Sequence, residues 1–229
     1  SHIPLALRYF GGAGKSHMDK YGTTMKDFAK IRAKASRHAS KNPLALFKKE
    51  VSEEEVLNSP IMWPGVMTRL MACPPTCGGA AAILVSEKFA KKHNIDASVK
   101  ILAQSMTTDY ESTFAEKDMM QLVGYDMTKE AARDVYHQTG VDVQDVDVVE
   151  LHDCFAHNEL ITYEALGLCE EGEAQKFVHD GNNTFGGKFV TNPSGGLLSK
   201  GHPLGATGLA QCFELTQQLR GNAGEKQVE

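Results

Sequence analysis

The chain has 229 residues, of which 41% are hydrophobic and 23% charged, with a formal net charge of −5, values that exclude a disordered or fibrous protein and allow a sizeable core. No apolar run approaches the roughly 20 residues a membrane-spanning helix needs, and no signal-peptide pattern opens the chain. Five scattered cysteines, at 73, 77, 154, 169 and 212, argue against a disulfide framework and for free thiols in a reducing compartment.

Gly11-Gly-Ala-Gly-Lys15-Ser16 imitates a phosphate loop, but that pattern needs glycine where Tyr9 stands, and the dinucleotide fingerprint needs one where His17 stands. The segment is expected to be a flexible turn. Met25, Phe28, Ala29, Ile31, Ala35 and Ala39 recur at helical spacing over Thr24 to Ser40, and Asn42-Pro43 stops that helix. A short helix is expected over Glu53 to Asn58, with Ser52 as N-cap and Glu55 completing a capping box. Pro60 to Gly65 reads as a hinge. Between Lys15 and Lys49 ten Lys/Arg face only Asp19 and Asp27, whereas residues 141–180 are acidic. Such a basic stretch can meet nucleic acid, a membrane surface or cofactor phosphates, or be a solvated helix face.

After Gly78-Gly79 comes a small, apolar run from Ala80 to Ser86, then a basic helix over Glu87 to His93. Val99 to Ser105 reads as a strand, Thr128 to Gly140 as a helix capped by Thr128, and Val146 to Leu151 as the next strand. That order predicts a right-handed β-α-β crossover with parallel pairing. Leu204 to Leu219 is the last expected helix, with Leu209, Cys212, Phe213 and Thr216 on one stripe. Ligands collect at the carboxyl ends of strands in open α/β sheets. Cys154 falls just past one such end, and His202 just before the last helix.

His152 and Cys154 are two apart, so a strand conformation sends both side chains from one face. A thiol can exchange protons near neutrality beside an imidazole, which makes Cys154 a candidate general acid/base and His152 a donor to an oxyanion. The plainer reading is a buried structural cysteine beside a hydrogen-bonded histidine. His202 sits between Gly201 and Pro203 ahead of Gly205 and Gly208, a setting that suits a base activating a thiol at a helix N-terminus. Asn192 and Gly196 lie in the glycine-rich run that lets a substrate approach the backbone, and are the expected substrate-binding positions. No metal is expected: Cys73 and Cys77 lack a second Cys/His pair at zinc-site spacing. His38, His93, His137, His157 and His179 have no partner legible in sequence and read as surface or packing residues.

With His152-Asp-Cys-Phe155, Gly201-His-Pro-Leu-Gly205, Lys15-Ser-His-Met-Asp-Lys-Tyr-Gly22 and Gly78-Gly-Ala-Ala-Ala82, the chain resembles the thiolase superfamily, in its sterol carrier protein X branch. His-Asp-Cys-Phe resembles the signature of that branch where ordinary thiolases have Asn-Glu-Ala-Phe. The resemblance implies an α/β, thiolase-like αβαβα layered fold, incomplete here: residues 1–65 as a loop-domain-like helical insertion, 66–96 as the closing strand and helix of the first half, and 97–229 as most of the second half. It implies acyl transfer between 3-oxoacyl-CoA and coenzyme A through an acyl-cysteine. In that scheme His202 is the base for the nucleophile, Cys154 the acid/base and His152 part of an oxyanion hole.

Coenzyme A enters as substrate, with no permanently bound cofactor. The implied partners are an acyl-CoA and a second copy in a homodimer, with no nucleic acid and no membrane span, in a peroxisome or mitochondrion of a eukaryote or the cytoplasm of a bacterium. The family's nucleophile motif and last strands have no counterpart, and Thr76-Cys77-Gly78-Gly79 stands where relatives show Ser-Asp-Gly-Ala, so the chain is expected to be part of a longer protein. A non-catalytic acyl-CoA or lipid-binding module, and a carbon–carbon lyase acting on steroid CoA esters, are the competing expectations.

Overall fold

The computed structural model describes residues 3–115 and 117–229. Its elements are α1 (Leu5–Tyr21), α2 (Met25–Ser40), α3 (Glu53–Leu57), a hairpin of β1 (Ile61–Trp63) and β2 (Met67–Thr68), then α4 (Glu87–His93), α5 (Glu111–Ala115), α6 (Met119–Leu122), α7 (Tyr125–Thr139), β3 (Val148–Val149), α8 (Ala156–Ala165), α9 (Ala174–His179), β4 (Val190–Thr191) and α10 (Thr207–Leu219).

The centre of the molecule is α2 laid against α8 and the hairpin. Phe28, Ile31 and Ala35 of α2 meet Met67 and Met71, Leu160 and Tyr163 of α8, and Leu197 and Leu198, all fully buried. Thr24 opens α2 by donating its amide (2.7 Å) and hydroxyl (2.9 Å) to Asp27 Oδ2. The Ser52–Glu55 capping box forms, with Ser52 N donating to Glu55 Oε2 at 2.7 Å and Glu55 N to Ser52 Oγ at 3.0 Å.

Several expectations change. Gly11 to Ser16 is no flexible turn but the interior of α1, its glycines buried because helices and side chains press close there: a Cβ at Gly11 would lie 2.9 Å from Trp63, and at Gly12 2.9 Å from Met119. Pro60 to Gly65 is the antiparallel hairpin, not a hinge. Helix α7 begins at Tyr125 rather than after Thr128, because Gly124, at φ 95°, makes the turn into it; Gly140 at φ 68° ends it as read from sequence.

The predicted strand Val99 to Ser105 is irregular, and among the described residues it has no ladder partner. Unpaired, its apolar side chains stay in solvent, with Leu102 72% exposed. The run after Gly79 behaves alike, with Ile83 92% exposed. The expected β-α-β unit through α7 is therefore not formed. Parallel pairing instead joins β3 to β4, Val148 opposite Val190 and Val149 opposite Thr191, with α8 and α9 in the crossover. The expected Val146 to Leu151 strand shortens to β3. Helix α10 starts at Thr207 rather than Leu204, and Leu209, Cys212 and Phe213 of its predicted stripe are exposed.

The basic stretch is not a uniform surface patch. Arg32 and Lys34 are 3% and 2% exposed. Lys34 Nζ pairs with Glu159 and donates to Thr191 Oγ1 at 2.8 Å, while Tyr163 OH donates to Glu159 Oε1 at 2.6 Å. No helix is long and apolar enough to cross a membrane among the described residues.

Candidate active site

Past β3 and β4 the two chain segments diverge, and side chains take over the ties between them. Leu151 N donates to Asn192 Oδ1 at 2.8 Å, and Ser194 donates its amide and hydroxyl to the Glu150 carboxylate at 2.9 and 2.8 Å. From this end leave His152, whose carbonyl accepts from Asn158 Nδ2 at 2.6 Å, then Cys154. The segment Ala72 to Thr76 runs between the two motifs: Ala72 bridges Phe155, Cys73 N donates to Cys154 O at 2.9 Å, and Pro75 bridges His202.

The other arm is a π-helical turn, Gly196–Lys200, followed by Gly201 at φ 119° and His202. The His202 amide donates to Thr76 Oγ1 at 3.3 Å. Its Nδ1 lies 2.7 Å from Thr207 Oγ1, and the Thr207 hydroxyl donates to Pro203 O at 3.2 Å. With its proton engaged there, the hydroxyl oxygen accepts from Nδ1–H, which leaves the lone pair of His202 on Nε2, free to take a proton.

The two rings meet. His152 and His202 stand 5.1 Å apart between centroids, edge to face, and Phe10 of α1 stacks on Phe155 at 5.0 Å and flanks His152 at 6.5 Å. The pKa of His152 is lowered, first by the surrounding protein and then by His202, although part of the ring reaches solvent. That of His202 is lowered by burial and by Lys200. Both imidazoles are thus neutral near pH 7. Cys154 is 4% exposed, and burial, then Cys73 and Asp153, push its pKa far up, so it holds its proton. Burial likewise pushes Cys73 to about 11 and Cys169 to about 12, which makes these three thiols poor nucleophiles.

Of the predicted substrate-binding residues, Asn192 is fully buried at φ 50°; its Oδ1 holds Leu151 N, its carbonyl lies 3.0 Å from His38 Nδ1, and its Nδ2 has no partner among the described residues. Gly196 lies against Asp153, where a Cβ would come within 2.1 Å of Oδ2. An apolar cleft lined by Leu44, Leu46, Ala80, Pro203 and Phe213 adjoins Thr76 and Thr207, the partners of His202, but does not reach His152 or Cys154.

Sequence reading passed over Thr207, whose place five residues after a candidate base was the available signal, and Asp153, visible only as the charge between His152 and Cys154. Three histidines without legible partners prove structural: His38 bonds Thr184 Oγ1 at 2.8 Å, His157 bonds Val66 O at 2.9 Å, and His179 pairs with Asp27 at 2.7 Å.

This mixed helix-and-sheet chain, with two neutral imidazoles at the end of a parallel pair, has the thiolase-like α/β fold. Residues 108–229 match the family model described as thiolase C-terminal domain-like, and the chain belongs to that family. It is 57% identical to the Bos taurus protein named sterol carrier protein 2, over 100% of this chain and 42% of the relative, and 47% identical to the Caenorhabditis elegans non-specific lipid-transfer protein-like 2, over 98% of this chain and 55% of that protein. The chain thus spans about half the length, or less, of these relatives. A solved structure titled Ltp2-ChsH2(DUF35) aldolase superposes with a TM-score of 0.79 at 21% identity, covering 97% of this chain and 57% of that one.

Proposed function

We propose that this chain supplies the proton-transfer and oxyanion groups of an acyl-CoA thiolase. The observation that carries the reading is the meeting of His152 and His202, from the two arms, at 5.1 Å between ring centroids, with Cys154 two residues from His152. In the forward direction the thiolate of a nucleophilic cysteine attacks the 3-oxo carbon of a 3-oxoacyl-CoA after His202 Nε2 takes its proton. The oxyanion that forms receives a hydrogen bond from His152. Collapse breaks the C2–C3 bond, and its electron pair takes the Cys154 proton at C2, releasing the coenzyme A ester of the C1–C2 fragment and leaving the shortened acyl group on the nucleophilic cysteine.

The Cys154 thiolate is then a strong base because its thiol pKa is raised by burial. It removes the proton of the coenzyme A thiol, and that sulfur attacks the acyl-cysteine, expelling the cysteine as thiolate. Atoms and charges balance, the reverse sequence is a condensation, and no permanently bound cofactor enters.

A second reading, an acyl-CoA or lipid-binding module without turnover, draws on the names of the sterol carrier and lipid-transfer relatives. Burial of Arg32 and Lys34 in internal contacts weakens the part of that reading that rested on a basic surface. A lyase acting on steroid CoA esters is separated by substrate profiling. The test between the first two is coenzyme A-dependent loss of 3-oxoacyl-CoA absorbance in the longest natural polypeptide carrying these residues. Thiolysis that falls about 10²–10⁴-fold in both Cys154→Ala and His202→Ala supports the reading; thiolysis indifferent to both rejects these roles.

A further inference from the structure

Asp153 lies between His152 and Cys154. It is fully buried, its Oδ1 accepting the Leu197 amide at 2.7 Å and its Oδ2 the Leu198 amide at 3.3 Å. Those amides belong to the π-helical turn Gly196–Lys200, whose next residues are Gly201 and His202. The fit leaves no slack, since a Cβ on Gly196 would stand 2.1 Å from Oδ2. Arg32 binds the same turn, Nη1 donating to Ser199 Oγ at 2.7 Å; burial, then Glu159, pushes the Asp153 pKa up to about 8.

The ties between the two arms therefore run outward in register: β3 with β4, Leu151 with Asn192, Glu150 with Ser194, and last Asp153 with Leu197 and Leu198. Asp153 is the direct tie between the two arms that stands closest in sequence to His152 and His202. Without it, the backbone carrying His152 and Cys154 and the turn carrying His202 are joined at this level only indirectly, through the segment Ala72 to Thr76, which bonds Cys154 O on one side and the His202 amide on the other.

We propose that Asp153 is a positioning residue whose carboxyl oxygens, by gripping the Leu197 and Leu198 amides, set the spacing of His152 and His202. Only the kinetic consequence rests on the thiolase reading. A shift of about 1 Å between reacting groups can cost roughly a hundredfold in rate, so the effect belongs in kcat rather than KM.

The test has two arms. In the 229-residue chain, the ¹⁵N titration of the His152 ring is followed with and without His202→Ala, in wild type, in Asp153→Ser and in the isostere Asp153→Asn, which keeps one amide-accepting oxygen. The expected result is that His202→Ala raises the His152 midpoint in wild type, does so less in Asp153→Asn, and has no effect in folded Asp153→Ser. Equal sensitivity in wild type and folded Asp153→Ser overturns the inference. Should Asp153→Ser fail to fold, Gly196→Ala, which drives a methyl into the carboxyl group, replaces it with the same two outcomes.

In the longest natural polypeptide the same variants are assayed for thiolysis. A loss of about a hundredfold in kcat with KM within about twofold, partly recovered by Asp153→Asn, supports positioning; an unchanged kcat in folded Asp153→Ser contradicts it. Absence of thiolysis in the wild type would remove the functional reading and leave the titration arm to judge the inference alone.

Discussion

Gly14 faces the imidazole of His157 so closely that a methyl group on its Cα would stand 2.3 Å from Cδ2 of the ring. His157 is fixed there by Val66 O at 2.9 Å and by Phe28, 4.0 Å away between ring centroids. Gly14→Ala is therefore predicted to destabilise the fold by about 1–3 kcal/mol through overpacking, although alanine in a helix interior is favoured over glycine by roughly 1 kcal/mol. Urea unfolding of the variant gives the sign: a stabilised Gly14→Ala would mean that α1 does not pack on α8 as described.

The Lys34–Glu159 pair is buried on both sides, with Tyr163 and Thr191 completing it. Lys34→Met is predicted to cost about 3–5 kcal/mol because Glu159 is left charged and unpaired, and Lys34→Met/Glu159→Gln to recover much of that loss. A double-mutant cycle measured by chemical unfolding checks it. Additive losses from the two single changes would show that the groups do not interact.

Burial lowers the His157 pKa to about 4 and the His38 pKa to about 3, against an ordinary value of 6.5. The unfolded chain binds these protons below about pH 6.5 while the folded chain does not, so stability from these sites is present above that pH and is lost as pH falls towards the folded values. Each site contributes a slope of about 1.4 kcal/mol per pH unit in that window. The stability of wild type relative to His157→Asn is predicted to fall by about 2 kcal/mol between pH 7 and pH 5. A pH-independent difference would place an imidazole of ordinary pKa at position 157.

Thr207 holds His202 in the tautomer that leaves Nε2 unprotonated. Thr207→Val removes the acceptor and is predicted to lower kcat about tenfold or more, with Thr207→Ser restoring most of it. A Val variant with full activity would show that His202 keeps its tautomer by other means.

Helix α2, the Ser52–Glu55 box and the glycine end of α7 were legible because their signals are local: periodicity, a hydroxyl at the cap, a left-handed glycine. The candidate site was chosen for a different reason, since His152, Cys154 and His202 stand in short motifs whose residue types carry chemistry, and of these the structure brings the rings of His152 and His202 together. The strand over Val99 to Ser105 was misread because strand formation needs a neighbour, and apolar content does not say whether one is present. Gly11 to Ser16 was misread because glycine signals both a turn and close helix packing, and only Trp63, Met119 and His157 decide between them. Asp153 escaped notice because its partners are backbone amides 44 and 45 residues away, which no local pattern reveals.

The central claim is that His152, Cys154 and His202 converge on one thioester. A crystal structure of the longest natural polypeptide with a non-hydrolysable 3-oxoacyl-CoA analogue tests it most directly. The 3-oxo oxygen is expected within about 3.2 Å of a His152 ring nitrogen and C2 facing the Cys154 sulfur, with His202 Nε2 turned to the attacking thiol. An analogue bound at full occupancy with its reacting carbons out of reach of both imidazoles would contradict it.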